Sequence, residues 1–201
     1  MSEFVVEAVG MLESNCYLVF IDESRRLYVI DPGADTEKIV DDAKKYNYDE
    51  AVILLTHAHV DHIGATGATA DALNVKQVYL HPADLKLYNS PDNNLLPFIP
   101  AAQNLPEPAA TVKAADFEII ETPGHTPGGV CFYFKQFPAM FVGDTIFAGS
   151  IGRTDLPGGD TDTLLNSINA KLMVLPDDLP FYPGHGPDTS VAQEKRGNPF
   201  L

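Results

Sequence analysis

The chain has 201 residues, 45% of them apolar and 20% charged, with a formal net charge of −15; a chain of this length buries roughly 70% of the surface it exposes when unfolded, so one domain spanning 1–201 folds without an external staple. Thirteen Lys and Arg against 28 Asp and Glu exclude the counterion-release affinity on which nucleic-acid and anionic-membrane binders depend. No segment approaches the roughly 20 apolar residues of a membrane span, no secretory leader precedes the first strand, and Cys16 and Cys131 form neither a C-x-x-C pair nor a disulfide framework, so the expectation is a cytoplasmic globular protein with free, buried thiols.

"EFVVEAV", "NCYLVFID" and "RLYVIDPG" are β-rich runs separated by turn residues and predict an antiparallel meander. A helix follows, capped by Asp35, with Ile39, Ala43 and Tyr46 on one face and Lys44 and Lys45 near its C-terminal end. "AVILLT" is a continuous apolar run of the kind found in a strand covered on both faces, and it leads straight into His57. From Asp61 a second helix is expected through "DHIGATGATADAL", weakened by Gly64 and Gly67; "KQVYLH" is another strand. The stretch from Pro91 to Pro108 is proline-rich and irregular, with Leu95, Leu96, Phe98 and Ile99 expected to cover something. "FEIIETPG", "VCFYFK" and "AMFVGD" read as strands. Leu164, Leu165, Ile168, Leu172 and Leu175 mark an amphipathic helix stopped by Pro176, and a short strand and turn, "PFYPGHG", precede a polar end. Strands and helices mixed in both halves argue for an α/β domain with helices outside and sheets inside.

Three of the six histidines, His57, His59 and His62, fall within "THAHVDH" with Asp61 among them. His125 in "PGHTPGG", Asp144 in "VGDT" and His185 in "PGHGPD" each come after a predicted strand and are flanked by Gly or Pro, the setting in which rigid sheets hold functional groups on tight loops. Imidazole nitrogen and carboxylate oxygen together suit zinc, iron or manganese. Residues two apart in an extended segment point the same way, so His57 and His59 can reach one ion, while Asp61 and His62, at a turn into a helix, can aim at a second. His125, Asp144 and His185 are the candidates to complete both. His81 has no such bracket and sits at a helix start, and is read as structural. Neither G-x-S-x-G nor H-E-x-x-H occurs, so serine hydrolase and thermolysin-like readings have no support.

Through "THAHVDH", "GHTPG", "GDT" and "GHG", spread over the whole chain, the sequence resembles the metallo-β-lactamase fold superfamily of metallohydrolases, and through "FAGSIGRTDLPGGD" and "EKRGNPFL" its glyoxalase II-like, hydroxyacylglutathione hydrolase-like branch. The resemblance implies a four-layer αββα sandwich with a binuclear centre at one edge: His57, His59 and His125 at the first metal, Asp61, His62 and His185 at the second, and Asp144 bridging, with Asp61 and Asp144 the catalytic carboxylates. Two divalent ions are implied, zinc first, with iron and manganese as alternatives. Arg153 stands where the family often has a basic residue for a substrate carboxylate; its other reading is an ion pair with Asp155 or Asp160.

Two such ions share a water, lower its pKa toward about 7 and polarise a carbonyl, and their charge outweighs that of the carboxylates and the hydroxide, so an anionic substrate is attracted despite an acidic protein. A thiolate leaving group, whose thiol has a pKa of about 8.5, needs little help from an acid. The expected activity is hydrolysis of a small anionic acyl thioester of the hydroxyacylglutathione type. The enzymes it resembles carry a helical C-terminal domain that helps hold glutathione, whereas 16 residues come after His185 here and "GHGPD" lacks their usual aromatic. Two other readings use the same residues: a persulfide dioxygenase of the same superfamily, with one iron on His57, His125 and Asp144, and a noncatalytic metal-binding module.

Overall fold

The computed structural model describes residues 3–112 and 116–201, and the chain divides into two compact units, residues 1–114 and 115–201. In the first, β1 (Glu3–Val9), β2 (Ser14–Ile21) and β3 (Arg26–Ile30) form the expected antiparallel meander. α1 (Thr36–Ala43) then crosses to β4 (Glu50–Leu54), which pairs parallel to β3; α2 (Val60–Ile63) and α3 (Thr66–Ala72) cross to β5 (Gln77–Tyr79), parallel to β4. Parallel neighbours need such crossovers because a tight hairpin cannot connect them. Apart from Glu50 at its start, β4 is buried throughout, as its uninterrupted apolar run predicts. Ile39 and Ala43 of α1 and Ala70 and Leu73 beside or within α3 pack into a core with Leu18, Val29, Ile53 and Leu55.

Three local expectations change. Asp35 occupies the N-cap position of α1 but makes no side-chain cap; its backbone is left-handed, at φ 52°, and its carboxylate accepts instead from the Gly10 N–H at 3.1 Å and the Lys38 ammonium at 3.0 Å. The helix also ends before Tyr46, whose ring stacks on Phe20 with centroids 5.4 Å apart. The helix expected from Asp61 is broken in two, because the Ala65 N–H donates to the Pro32 carbonyl at 3.0 Å and Gly64 sits so close that an added Cβ would lie 2.6 Å from the Gly33 carbonyl oxygen.

After the short helix α4 (Leu85–Tyr88) the proline-rich stretch is tied down by side chains. The Tyr88 hydroxyl donates to the Pro106 carbonyl at 2.8 Å and the Ala102 N–H to Asn93 Oδ1 at 3.0 Å. Its tip folds on itself, Leu95 N–H donating to the Ile99 carbonyl at 2.9 Å. That closed turn leaves Leu96 and Phe98 68% and 67% exposed.

In the second unit β6 (Phe117–Glu121), β7 (Val130–Phe134) and β8 (Ala139–Gly143) are antiparallel. Next come a small hairpin of β9 (Ile146–Phe147) and β10 (Ser150–Ile151), then α5 (Thr161–Ser167), which runs on through a π-helical turn at Ile168–Leu172. β11 (Pro180–Pro183) returns parallel to β8, and β12 (Thr189–Ser190) closes the sheet order β12-β11-β8-β7-β6. Leu164, Ile168 and Leu172, fully buried, pack with Cys131, Met140, Val142 and Phe181, and each such side chain is worth roughly 1.5–3 kcal/mol of burial. Asp160 caps α5, its Oδ1 accepting from the Thr163 N–H at 2.8 Å.

The polar end of the sequence forms α6 (Val191–Gly197), and Glu194 on it is buried. Its carboxylate accepts from the Gly149 N–H at 3.0 Å, the Asn198 amide at 2.7 Å and the Thr189 hydroxyl, which fastens the helix to the β9–β10 turn. Leaving a buried donor without its acceptor costs about 1–3 kcal/mol. Glu194→Ala is therefore expected to lower unfolding free energy by about 2–4 kcal/mol, read as a reduced urea midpoint at unchanged slope.

Candidate metal centre

β3 and β4 run parallel and in register, Ile30 opposite Leu54, so the residues just past the two strands emerge at the same sheet edge. In open sheets ligands bind outside the carboxyl ends of parallel strands. Asp31 leaves β3 with left-handed backbone, φ 52°, its N–H held by the Leu54 carbonyl at 3.1 Å. Thr56 and His57 leave β4 beside it. Gly33 completes the turn at a place where a Cβ would lie 1.6 Å from the Asp61 carbonyl oxygen, so only glycine lets this turn touch the start of α2.

All four residues of the H-x-H-x-D-H motif are buried. The His57 ring centroid lies 4.9 Å from that of His59 and 4.3 Å from that of His62. Asp31 determines the tautomers. Its carboxylate accepts from the Thr56 N–H at 2.7 Å and the Thr56 hydroxyl at 2.5 Å, and lies 3.0 Å from His62 Nδ1. A carboxylate only accepts, so His62 Nδ1 carries the proton and Nε2 the lone pair. The Thr56 hydroxyl hydrogen is spent on Asp31, so at 3.0 Å its oxygen accepts from His57 Nδ1–H, and His57 also presents Nε2 as a base.

One carboxylate thus orients two histidines, the arrangement that sets ligand tautomer and basicity around protein-bound metals. Asp31, His57 and His62 place nitrogen and oxygen atoms within 4.8 Å of one another, but the carboxylate is occupied by these donors and acts as an anchor behind the ligands. Two further anchors serve the motif: buried Asp84 accepts from the Ala58 N–H at 3.1 Å, and Ser14 donates to Asp61 Oδ2 at 3.1 Å. Asp61 Oδ2 stands 3.5 Å from His62 Nε2.

The second unit repeats the logic. β8 and β11 are also parallel, and the Gly184 N–H donates to the Gly143 carbonyl at 2.8 Å, which brings the next residues, Asp144 and His185, out together. His125 lies beyond β6 on a loop clamped by the two ends of α5: the Asp160 N–H donates to the Gly124 carbonyl at 2.8 Å and the Ser167 hydroxyl to the Pro123 carbonyl at 2.7 Å. Its Nδ1 donates to the Arg153 carbonyl at 2.6 Å, again leaving Nε2 as the lone-pair nitrogen. Gly152 makes this possible, since a Cβ there would lie 1.9 Å from the Asp144 carbonyl oxygen and 3.3 Å from His125 Cβ. Asp144 Oδ2 is 3.6 Å from His125 Nε2 and 3.8 Å from His185 Nε2. Two ligand atoms each about 2.1 Å from one ion at a tetrahedral angle lie about 3.4 Å apart. The carboxylate–imidazole spacings in both units have this dimension, longer than a hydrogen bond, and the donor set fits a divalent metal.

The structure therefore gathers His57, His59, Asp61 and His62 in the first unit and His125, Asp144 and His185 in the second. The Arg153 guanidinium is exposed and bidentate to Asp155, both bonds at 2.7 Å, and this pairing holds Asp155 down near a pKa of about 2. His81 lies outside the cluster, its Nδ1 accepting from the Ala83 N–H at 3.3 Å at a 3-10 turn. Sequence reading passes over Asp31, Asp84 and Ser14. The "DPG" turn after a strand that pairs with the histidine strand is the signal for Asp31; nothing in the linear sequence distinguishes Asp84 or Ser14. Among the described residues no helix is long and apolar enough to cross a membrane.

The family model of the metallo-beta-lactamase superfamily matches residues 9–185. A curated relative from Haemophilus influenzae, named hydroxyacylglutathione hydrolase GloC, is 37% identical over 204 residues, 96% of this chain and 95% of that one. Among solved structures, BLEG-1, a B3 metallo-beta-lactamase, is 36% identical with a TM-score of 0.85 over 99% of both chains, and TTHA1623 in a di-iron-bound form is 38% identical with a TM-score of 0.83 over 98% of this chain and 100% of that one. The expected fold class is borne out: a mixed α/β chain with two five-stranded sheets and the metallo-β-lactamase fold.

Partners behind metal-bound imidazoles are typically worth 10- to 100-fold in affinity. Asp31→Asn places an N–H₂ where Thr56 or His62 needs an acceptor, so divalent-metal affinity, titrated against a competing chelator, is expected to fall by about 10- to 100-fold.

Proposed function

Because the chain belongs to the metallo-beta-lactamase superfamily, we propose that it is a metal-dependent hydrolase of small acyl thioesters of the hydroxyacylglutathione type, with His57, His59 and His125 at one ion, Asp61, His62 and His185 at a second, and Asp144 between them. The observation that supports this reading is the position of Asp144 Oδ2, 3.6 Å from His125 Nε2 and 3.8 Å from His185 Nε2, spacings that suit ligands of a divalent ion. The reading treats residues 1–201 as one functional domain, since ligands come from both units. The relative named hydroxyacylglutathione hydrolase, matched over nearly the full length of both chains, supports the thioester class. Zinc is the proposed metal, with iron next because a similar structure holds two irons.

When bound, two divalent ions supply hydroxide at neutral pH and polarise the substrate carbonyl. The chain's own residues fix the geometry for that chemistry. Asp31 and Thr56 hold the His57 and His62 rings, the Arg153 carbonyl holds His125, and Ser14 holds Asp61. His185 is the most exposed of the ligand side chains, at 29%, and marks the side from which a substrate approaches. A thiolate departs without a dedicated acid because its conjugate thiol is already acidic, with a pKa of about 8.5, in keeping with a site made of ligands. The exposed Arg153–Asp155 pair is the proposed contact for an anionic substrate group, Arg153 exchanging one carboxylate for another.

Asp144→Ala is expected to lose at least one equivalent of metal by elemental analysis and, since each group stabilising developing charge is worth roughly 10²–10³ in rate, about that factor or more in thioester cleavage. Full turnover with intact metal content would overturn the proposal. One iron per chain with oxygen consumption on a persulfide would establish the dioxygenase reading instead, and bound metal with neither activity the noncatalytic one.

A further inference from the structure

The first unit carries a cavity of about 560 Å³ whose walls come from the β1–β2 turn, the turn after β3, the start of α2 and residues 98–103. This lies within the range of small-molecule sites. Its apolar lining includes Met11, Leu12, Val60, Phe98 and Ile99, with Asp61 in the same wall. Met11 and Phe98 are 71% and 67% exposed. Isolated exposed apolar residues are ordinary, but here residues from two loops distant in sequence face one cavity that reaches a proposed metal ligand. Among the described residues no Lys, Arg or His lines it, and Asp61 is its only ionisable side chain.

We infer that this cavity is the acyl-chain pocket of the hydrolase and that it selects thioesters with an uncharged, apolar acyl group of several carbons. The inference rests on the thioesterase reading above. A thioester carbonyl brought to the ion that Asp61 would hold would present two substituents, the acyl chain and the sulfur. The sulfur departs as an anion and, in a glutathione-like carrier, brings carboxylates with it. An apolar wall with no Lys, Arg or His leaves both uncompensated when they are taken out of water, and accepts the acyl chain. The Met11 and Phe98 side chains, at the open faces of the two loops, are the specificity-determining contacts.

The test measures kcat/KM for acetyl, butyryl, hexanoyl and octanoyl thioesters of one small uncharged thiol, N-acetylcysteamine. Each methylene taken out of water should raise it by about three- to fourfold, so the hexanoyl-to-acetyl ratio should be on the order of 10². Phe98→Ala and Met11→Ser should each lower that ratio by about tenfold, and a ratio is insensitive to the fraction of correctly folded variant. Acetyl turnover with a flat chain-length profile, or a steep profile that neither substitution changes, would overturn the pocket while leaving the thioesterase intact. A flat profile together with a dimer in sedimentation that Phe98→Ala dissociates would assign the cavity to a second copy of the chain, and so also overturn it. Absence of turnover on every thioester by metal-loaded protein would remove the thioesterase reading and the pocket with it.

Discussion

The Asp31 carboxylate is the interaction on which the first unit's chemistry depends. It sits in the interior, receives three donors from Thr56 and His62, and fixes the hydrogen on two imidazoles at once. Burying a carboxylate is costly unless its oxygens are satisfied, and here the groups that satisfy it are the residues it must organise. The strained backbone at Asp31 belongs to the same device: a left-handed residue at the strand end turns the side chain toward the histidines while its N–H stays on the sheet. A backbone conformation that costs energy persists where the surroundings over-determine it.

The second unit reaches an equivalent result with main-chain groups. A carbonyl, that of Arg153, takes the place of the carboxylate behind His125, and the Gly143–Gly184 hydrogen bond sets Asp144 beside His185. In both units the functional side chains other than His125, which comes after β6, emerge from adjacent parallel strands, β3 with β4 and β8 with β11. Antiparallel neighbours would send consecutive loops to opposite edges. The parallel pairs, with the helices needed to connect them, are thus the architectural requirement for gathering ligands distant in sequence.

Much of this was legible in the chain. The meander, the apolar strand feeding His57, the strands of the second half and the helix around Leu164 and Ile168 arise from runs and periodicities that tertiary packing reinforces. The metal-ligand candidates were legible because several are contiguous and the rest carry Gly or Pro at strand ends. The features that stayed hidden depend on pairing. Asp35 resembles a cap but, from a left-handed backbone, serves the Gly10 N–H and the Lys38 ammonium instead of the helix's own N–H groups. The helix from Asp61 breaks at Gly64 because Pro32 and Gly33 dock there. Asp84 and Ser14 are ordinary polar residues in the linear sequence, and only the fold reveals which backbone or carboxylate each one holds. The backbone carbonyl of Arg153 orients a histidine, a role that residue type cannot announce.

The fastening of α6 has a reach beyond the helix itself. Glu194 grips Gly149, and the Asn198 amide donates to the Ser150 carbonyl at 3.0 Å, so α6 and the residue after it tether the same short hairpin that leads into Gly152 and Arg153. Since the Arg153 carbonyl decides which nitrogen of His125 bears a proton, Glu194 and Asn198 act as a remote strut for an imidazole many positions earlier. Anything that loosens Asn198 should be felt as a softer grip on metal before any loss of the sheet.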